Sequence, residues 1–295
     1  MALSTMIFRR LYKGASFDSR LFKVIGPFVN FADRLAQKSL STDADGRIPP
    51  FTLRARSAGV LNQFGGRRFT QSSFDFLKFI EGRDILSDVE KSSGETAPLV
   101  FDIGCGVGKF PRSLQVNDKK VRYIGVDIDK ISIDYCRAKL GKPGYEYFLI
   151  DVNNGTYRPS GNAEPLSEEF EMVEDESAKL IVAWSVFTHM ELEHIRHYLS
   201  VMQKKLSKDG TALVSAFVHD ERSLVNDHLK YEYNGGYVVN IENPMKAIGF
   251  KKDVFLSAFE EAGLTTVGDF IPKQEPGKKN DPEALGQDLF VLRKK

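Results

Sequence analysis

The stretch Leu99-Val100-Phe101-Asp102-Ile103-Gly104-Cys105-Gly106-Val107-Gly108-Lys109-Phe110 constrains the fold of this chain more than any other. An apolar run ending in an acid and then three alternate glycines reads as a buried strand that turns sharply into a helix, with backbone amides left open for a ligand. The dinucleotide fingerprint G-x-G-x-x-G would need its third glycine at position 109, where this chain has Lys109, and that argues against NAD. Past this loop a second apolar run, Tyr123-Ile124-Gly125-Val126, ends in Asp127. A carboxylate at a strand end accepts two hydroxyl hydrogen bonds, as gripping a ribose diol requires.

From Pro98 onward strand and helix patterns alternate, which implies a largely parallel sheet with crossover helices. The patterns predict strands over 98–103, 121–126, 145–150, 179–184, 211–218, 264–271 and 287–293, and helices over 107–116, 131–140, 191–207 and 252–262. Right-handed crossovers and a change of winding direction after the first strand put a crevice at the carboxyl ends of the strands, where Gly104, Asp127, Asp151 and Ser185 all fall. Residues 1–95 read as a helical extension, with helices over 22–40 and 71–86, breaks at Ser41–Gly46 and Pro49-Pro50, and a polar linker over 90–96.

The pair of segments D-x-G-x-G-x-G and G-V-D resembles the class I S-adenosylmethionine-dependent methyltransferases. Two further stretches match in order: Phe148-Leu149-Ile150-Asp151-Val152 resembles that family's third strand, and Leu180 to His189 resembles its fourth with the loop after it. The resemblance covers residues 95–293. It implies an α/β fold, a seven-stranded Rossmann-like sheet with an antiparallel last strand formed by Gln287–Leu292, preceded by the helical extension. The implied division is 1–95 for the extension and 96–295 for the methyltransferase domain.

The resemblance also implies the donor, S-adenosylmethionine, its product S-adenosylhomocysteine, and a set of site residues. Asp102 and the loop at Gly104, Cys105, Gly106 and Gly108 would hold the methionine end. Asp127 would hold the ribose, Ile128 would lie on the adenine ring, Asp151 would take the adenine amino group, and Val152 would offer its amide. Trp184 and Ser185 would line the crevice from the fourth strand, although an aromatic residue there serves equally as core. Each of these acids, taken alone, could instead be a helix N-cap.

Methyl transfer to a hydroxyl or an ammonium needs a base, and His suits neutral pH. His189, at the mouth of the crevice, is the first candidate and His219, after the fifth strand, the second; the competing reading has Thr188 or His189 merely capping the next helix. His194 and His197 share a helix face with a spacing that could bind a metal, but such faces are usually wet, and no metal is expected. The segment from His219 to Lys251, with Tyr231, Tyr233 and Tyr237, falls where the family often builds a lid over the acceptor.

The subclass follows from what is missing. Trp184-Ser185-Val186-Phe187 does not match the [DNS]-P-P-[YFW] element of amino-methylating nucleic-acid enzymes, and no Pro-Cys pair offers a cytosine nucleophile. Neither paired glutamates of protein arginine methyltransferases nor an acid cluster for magnesium is present. What remains is a metal-independent enzyme that methylates oxygen or nitrogen of a small molecule or sugar, as a monomer or homodimer, with nucleic acid disfavoured as a partner. Two alternatives stay open: an RNA-directed methyltransferase and a non-catalytic cofactor-binding scaffold protein. The first draws on charge, since residues 1–82 hold thirteen Lys/Arg against six Asp/Glu (+7) while the remainder holds 28 against 34 (−6). No run reaches the roughly 20 apolar residues of a membrane span. Two cysteines, Cys105 and Cys136, suit a reducing compartment, so the expected location is the cytoplasm, with a mitochondrial presequence over Met1–Lys23 as the competing reading.

Overall fold

The computed structural model describes residues 20–40, 46–58, 64–82, 97–152, 170–219, 229–268 and 287–295, with only the backbone described at 20–23 and 57–58. The proposed presequence up to residue 19, the break at 41–45, the polar linker at 90–96 and the start of the acidic run at Glu168-Glu169 lie outside these residues.

Three helices come first: α1 (Arg20–Ser39), α2 (Phe51–Ala58) and α3 (Arg67–Glu81). Then strands and helices alternate through β1 (Leu99–Ile103), α4 (Lys109–Val116), β2 (Arg122–Asp127), α5 (Lys130–Leu140), β3 (Tyr145–Leu149), β4 (Ala178–Ala183), α6 (Leu192–Lys205) and β5 (Leu206–Ala216). After β6 (Val218–His219), β7 (Tyr231–Tyr233), β8 (Gly236–Val238) and β9 (Ile248–Lys251), the chain closes with α7 (Lys252–Glu261), β10 (Leu264–Thr266) and β11 (Asp288–Lys294).

The main sheet has seven strands in the order β10-β11-β5-β4-β1-β2-β3. Strands β3, β2, β1, β4 and β5 pair in parallel, and β11 runs antiparallel to both β5 and β10. This is the fold implied by the resemblance, including the antiparallel last strand. Because β2 and β4 flank β1 on opposite sides, the winding direction reverses beside β1, and the carboxyl ends of β1, β2 and β4 lie side by side at that switch point, where open α/β sheets bind ligands.

Both faces of the sheet are covered, as a parallel sheet demands. Alternation along β1 sends Leu99, Phe101 and Ile103 into a core shared with Tyr198 of α6 and Phe255 and Phe259 of α7. Val100 joins the other core with Phe110, Leu114, Ile133 and Leu140 of α4 and α5. Helix α3, read from the sequence as part of the extension, adds Phe76, Leu77, Phe79 and Ile80 to that second core, so it is a structural member of the sheet's helical layer.

The segment expected to form a lid is partly a small sheet of its own. Strands β6, β9, β8 and β7 pair in that order, with β7–β8 a hairpin turning at Asn234-Gly235. The asparagine and glycine there both have positive φ, as a tight hairpin turn of this twist requires.

Candidate active site

The glycine loop between β1 and α4 divides its three glycines by task. All have positive φ: 75° at Gly104, 53° at Gly106 and 77° at Gly108. A side chain at Gly104 would meet Val186 Cγ2 at 2.4 Å, and one at Gly108 would meet Leu140 Cδ1 at 2.2 Å, so these two are needed for internal packing. Among the described residues nothing lies within 4 Å of a Cβ placed on Gly106. There the backbone faces open space, which is what a loop cradling a ligand needs. The amides of Gly104 and Cys105 both donate to Val126 O, at 2.8 and 3.0 Å, and so lock the loop onto the end of β2.

Asp127 stands at that strand end. Its Oδ2 accepts from the Gly106 amide at 2.7 Å and its Oδ1 from the Asp129 amide at 2.8 Å. Burial raises the carboxyl's pKa to about 6, with hydrogen bonds from the Asp129, Gly106 and Ile128 backbone acting the other way. Asp129 itself is the N-cap of α5, with its side chain accepting from Ser132, and it pairs with Arg56 of α2 at 3.1 Å. Asp102 is buried on the α3–α4–α5 side of β1, where Tyr123 Oη donates to its Oδ2 at 2.5 Å. Burial pushes its pKa up to about 7 against that hydrogen bond.

The remaining candidates for donor binding fall around the same crevice. Ile128 is partly buried against the α6–α7 core, Asp151 is exposed at the end of β3, and Val152 beside it is buried. Cys105 and Cys136 both direct their thiols at the Gly106 carbonyl, 3.9 and 3.4 Å away, and both are buried beneath the loop. A hydrogen bond with Cys136, and then burial, hold the Cys105 thiol well above its ordinary pKa. Trp184 packs edge-on against Phe76 of α3, with ring centroids 3.7 Å apart, so at least part of the indole serves as core.

Ser185 has a φ of 58°, unusual for a residue with a side chain. Ser215 and Gln287 hold it there: the Ser185 amide donates to Ser215 Oγ at 2.8 Å, Ser215 Oγ donates to Gln287 Oε1 at 2.7 Å, and Gln287 Nε2 donates to Ser185 Oγ. This ring joins the ends of β4 and β5 to the start of β11. Residues kept in sparsely populated backbone regions cluster at functional sites. Sequence reading found Ser185 but neither Ser215 nor Gln287, because partners 30 and 102 positions from Ser185 leave no local signal.

His189 closes a short 3-10 turn, Phe187–His189, ahead of α6, whose N-cap is Glu191. Its Nδ1 lies 3.0 Å from Met245 O. A carbonyl oxygen only accepts, so in the neutral ring Nδ1 carries the proton and Nε2 the lone pair. Burial lowers the ring's pKa, while hydrogen bonding with the backbone of Met245 and Lys246 acts the other way. His219 is buried in β6, edge-on to Tyr237 with ring centroids 5.5 Å apart. The β7–β8 hairpin is pinned over the same loop, since Tyr233 Oη donates to Glu191 Oε1 at 2.8 Å. The insertion therefore touches the β4 loop at both His189 and Glu191. His194 and His197 lie on α6, and among the described residues no group of three or more His, Cys, Asp or Glu is arranged to hold a metal ion.

A protein-family model described as a methyltransferase domain matches residues 76–267, more than half of the chain. This chain belongs to that methyltransferase family. The sheet order, the open glycine loop and the acid on β2 agree with its class I S-adenosylmethionine-dependent members, and S-adenosylmethionine is their cofactor. A protein of Invertebrate iridescent virus 6 named as methyltransferase 235L is 24% identical over 169 residues, covering 57% of this chain and 55% of its own length, so this chain spans about half of that curated relative. Among solved structures, a S-adenosylmethionine-dependent methyltransferase of Leishmania major superposes with a TM-score of 0.50 at 14% identity, covering 88% of this chain and 82% of that one. The 1,6-didemethyltoxoflavin-N1-methyltransferase of Burkholderia thailandensis, solved with its substrate and S-adenosylhomocysteine, gives 0.44 at 17% identity over 76% and 87% of the two chains. The Leishmania likeness, at 14% identity, speaks to the shared fold alone.

The residues present fit a nucleoside donor. Gly106 offers backbone with no side chain of the described residues in front of it. A carboxylate has about four acceptor positions, and Asp127 uses them on the Gly106, Asp129 and Ile128 backbone, which leaves capacity for a ribose hydroxyl.

Proposed function

We propose that this chain transfers the methyl group of S-adenosylmethionine to oxygen or nitrogen of a small-molecule or sugar acceptor, without a metal. The observation that carries the reading is the pairing of Gly106, open in front, with Asp127, whose carboxylate is oriented by two amides. The sulfonium donor supplies an already activated methyl group, so the protein's part is to hold the acceptor in line and exclude water. In this reading Asp127 holds the ribose, Asp102 and the Gly104–Gly108 loop orient the methionine end, and Asp151 with Val152 takes the adenine. Ser185 and Trp184 line the wall between donor and acceptor. His189, kept neutral near pH 7 by its lowered pKa, takes the acceptor proton on Nε2, and His219 is the second candidate for that task. The insertion, pinned through Tyr233 to Glu191 and through Met245 to His189, shields the acceptor side. Residues 96–295 form the methyl-transferring unit, with α3 of the preceding segment built into its helical layer.

The test is incubation of the full chain with methyl-labelled donor and separate panels of sugars, small hydroxy and amino compounds, and RNA. Label in a small-molecule product, lost in Asp127→Ala, supports the proposal. Label in RNA alone contradicts it and favours the RNA-directed alternative.

A further inference from the structure

Helix α1 has two faces of opposite character. Val29, Asp33 and Gln37 point inward, and the Asp33 carboxylate is consumed there by Arg54, Gln37 and the Gly65 amide. On the other face Val24, Phe28, Phe31 and Leu35 recur at helical spacing and are each between 53% and 75% exposed. One such residue on a surface is ordinary; four in a continuous stripe mark a contact surface.

The rim of this stripe is basic. Arg34 and Lys38 are exposed on α1, and the helix's single acid, Asp33, is turned away into the protein. At the carboxyl end of α1, Gly65 and Gly66 pack against Leu40 and Gln37, which brings the exposed Arg67 and Arg68 of α3 to the same region. None of these four cations forms an ion pair among the described residues. In the sequence the bias extends further, since residues 1–82 carry +7.

We infer that α1 is a docking surface for an anionic lipid bilayer, lying in its headgroup plane with Val24, Phe28, Phe31 and Leu35 inserted and Arg34 and Lys38 on lipid headgroups. Aromatic and aliphatic side chains on one face with basic residues beside them are the pattern of helices that lie on a membrane rather than span it. No helix among the described residues is long and apolar enough to span one. Charge decides between occupants. Pairing α1 with the same helix of a second copy would set two all-basic rims side by side. A polyanion such as RNA would satisfy the rim but leave the four apolar side chains in water. An anionic bilayer satisfies both. The inference rests on α1 and is independent of the methyl-transfer reading.

The experiment is co-sedimentation of the full chain, at low salt, with vesicles of phosphatidylcholine alone and of phosphatidylcholine with one quarter phosphatidylserine, beside Phe28→Glu/Phe31→Glu and Arg34→Glu/Lys38→Glu variants. Both pairs are exposed, so thermal unfolding should match the parent and certifies folding. Binding to the serine-lipid vesicles, weaker by about ten-fold or more in each variant and on neutral vesicles, is the expected result. Three results overturn the inference: no sedimentation with either vesicle, equal binding by the Phe28→Glu/Phe31→Glu variant, or a vesicle-independent dimer that this variant dissolves.

Discussion

The amide of Gly106 donates to Asp127 Oδ2 at 2.7 Å, so the loop after β1 and the acid at the end of β2 form one hydrogen-bonded unit. Neither half is set independently of the other. A donor that enters the crevice meets backbone and carboxylate already oriented, and this preorganisation is what a positioning enzyme needs.

The three loop glycines should therefore separate by readout. Gly108→Ala forces a methyl group to within 2.2 Å of Leu140 Cδ1 at a φ of 77°, and should cost about 2–3 kcal/mol of stability by overpacking and backbone strain. Gly106→Ala meets no atom of the described residues and should cost only about 1 kcal/mol. Its methyl group points where the donor would approach, so affinity for S-adenosylhomocysteine should fall much more than stability. Thermal unfolding and calorimetric titration of both variants check the split.

Asp102 should leave a pH signature on stability. Its carboxyl, with a pKa of about 7 in the fold against an ordinary 3.8, binds its proton more tightly folded than unfolded. The folded state thus holds more protons between those values, and the contribution to stability, full below pH 3.8, is lost as pH rises to about 7. Asp102→Asn, which has no charge to bury, should gain on the parent by a few °C in melting temperature between pH 5 and pH 8. A melting gap independent of pH would contradict this.

Much of this site was legible in the sequence for a simple reason. Strand-end acids and loop glycines act through backbone position, and local pattern fixes backbone position. Gly104, Gly106 and Asp127 follow from apolar runs and spacing, the role of Asp102 follows from the family resemblance, and the strand expected over 287–293 is β11 to within a residue at each end. Residues that act through distant partners left no such trace. Ser215 and Gln287 meet Ser185 only once β4, β5 and β11 are side by side. The same holds for Arg56 with Asp129, and for Ile48, Leu53 and Phe69, which pack on Val107 of the glycine loop. The small sheet within the insertion was also missed, because strands of two to four residues are too short to show a period.

The extension is held by a buried ion pair. Arg54 Nη2 lies 2.8 Å from Asp33 Oδ1, with both side chains inaccessible, and the same carboxylate also accepts from the Gly65 amide at 2.7 Å and from Gln37 at 2.7 Å. Arg54→Met would leave a buried carboxylate without its cation and should destabilise by about 3–5 kcal/mol. Asp33→Asn with Arg54→Met should recover part of that loss. Because Val107 packs on the extension, the single variant should also weaken donor binding. Chemical denaturation and donor titration of the pair check both effects.

His189 should affect turnover rather than donor affinity. His189→Ala is expected to lower kcat by about 10²–10⁴-fold with S-adenosylhomocysteine binding nearly unchanged, if proton removal is part of the step. Burial lowers the ring's pKa, so its neutral form persists further into acid than an ordinary histidine's, and the parent's rate should hold into mildly acidic buffer. Turnover in the variant equal to the parent's would remove His189 from the chemistry and leave it as a tie to Met245.

Calorimetric titration of S-adenosylhomocysteine into the parent and into Asp127→Ala, at pH 7.5 and at pH 5, tests the central claim most directly. The expected result is saturable binding to the parent at pH 7.5, weaker binding at pH 5 as the carboxyl of pKa about 6 takes up its proton, and a loss of at least about ten-fold in the variant. No heat with the parent, or equal affinity in Asp127→Ala, would contradict it.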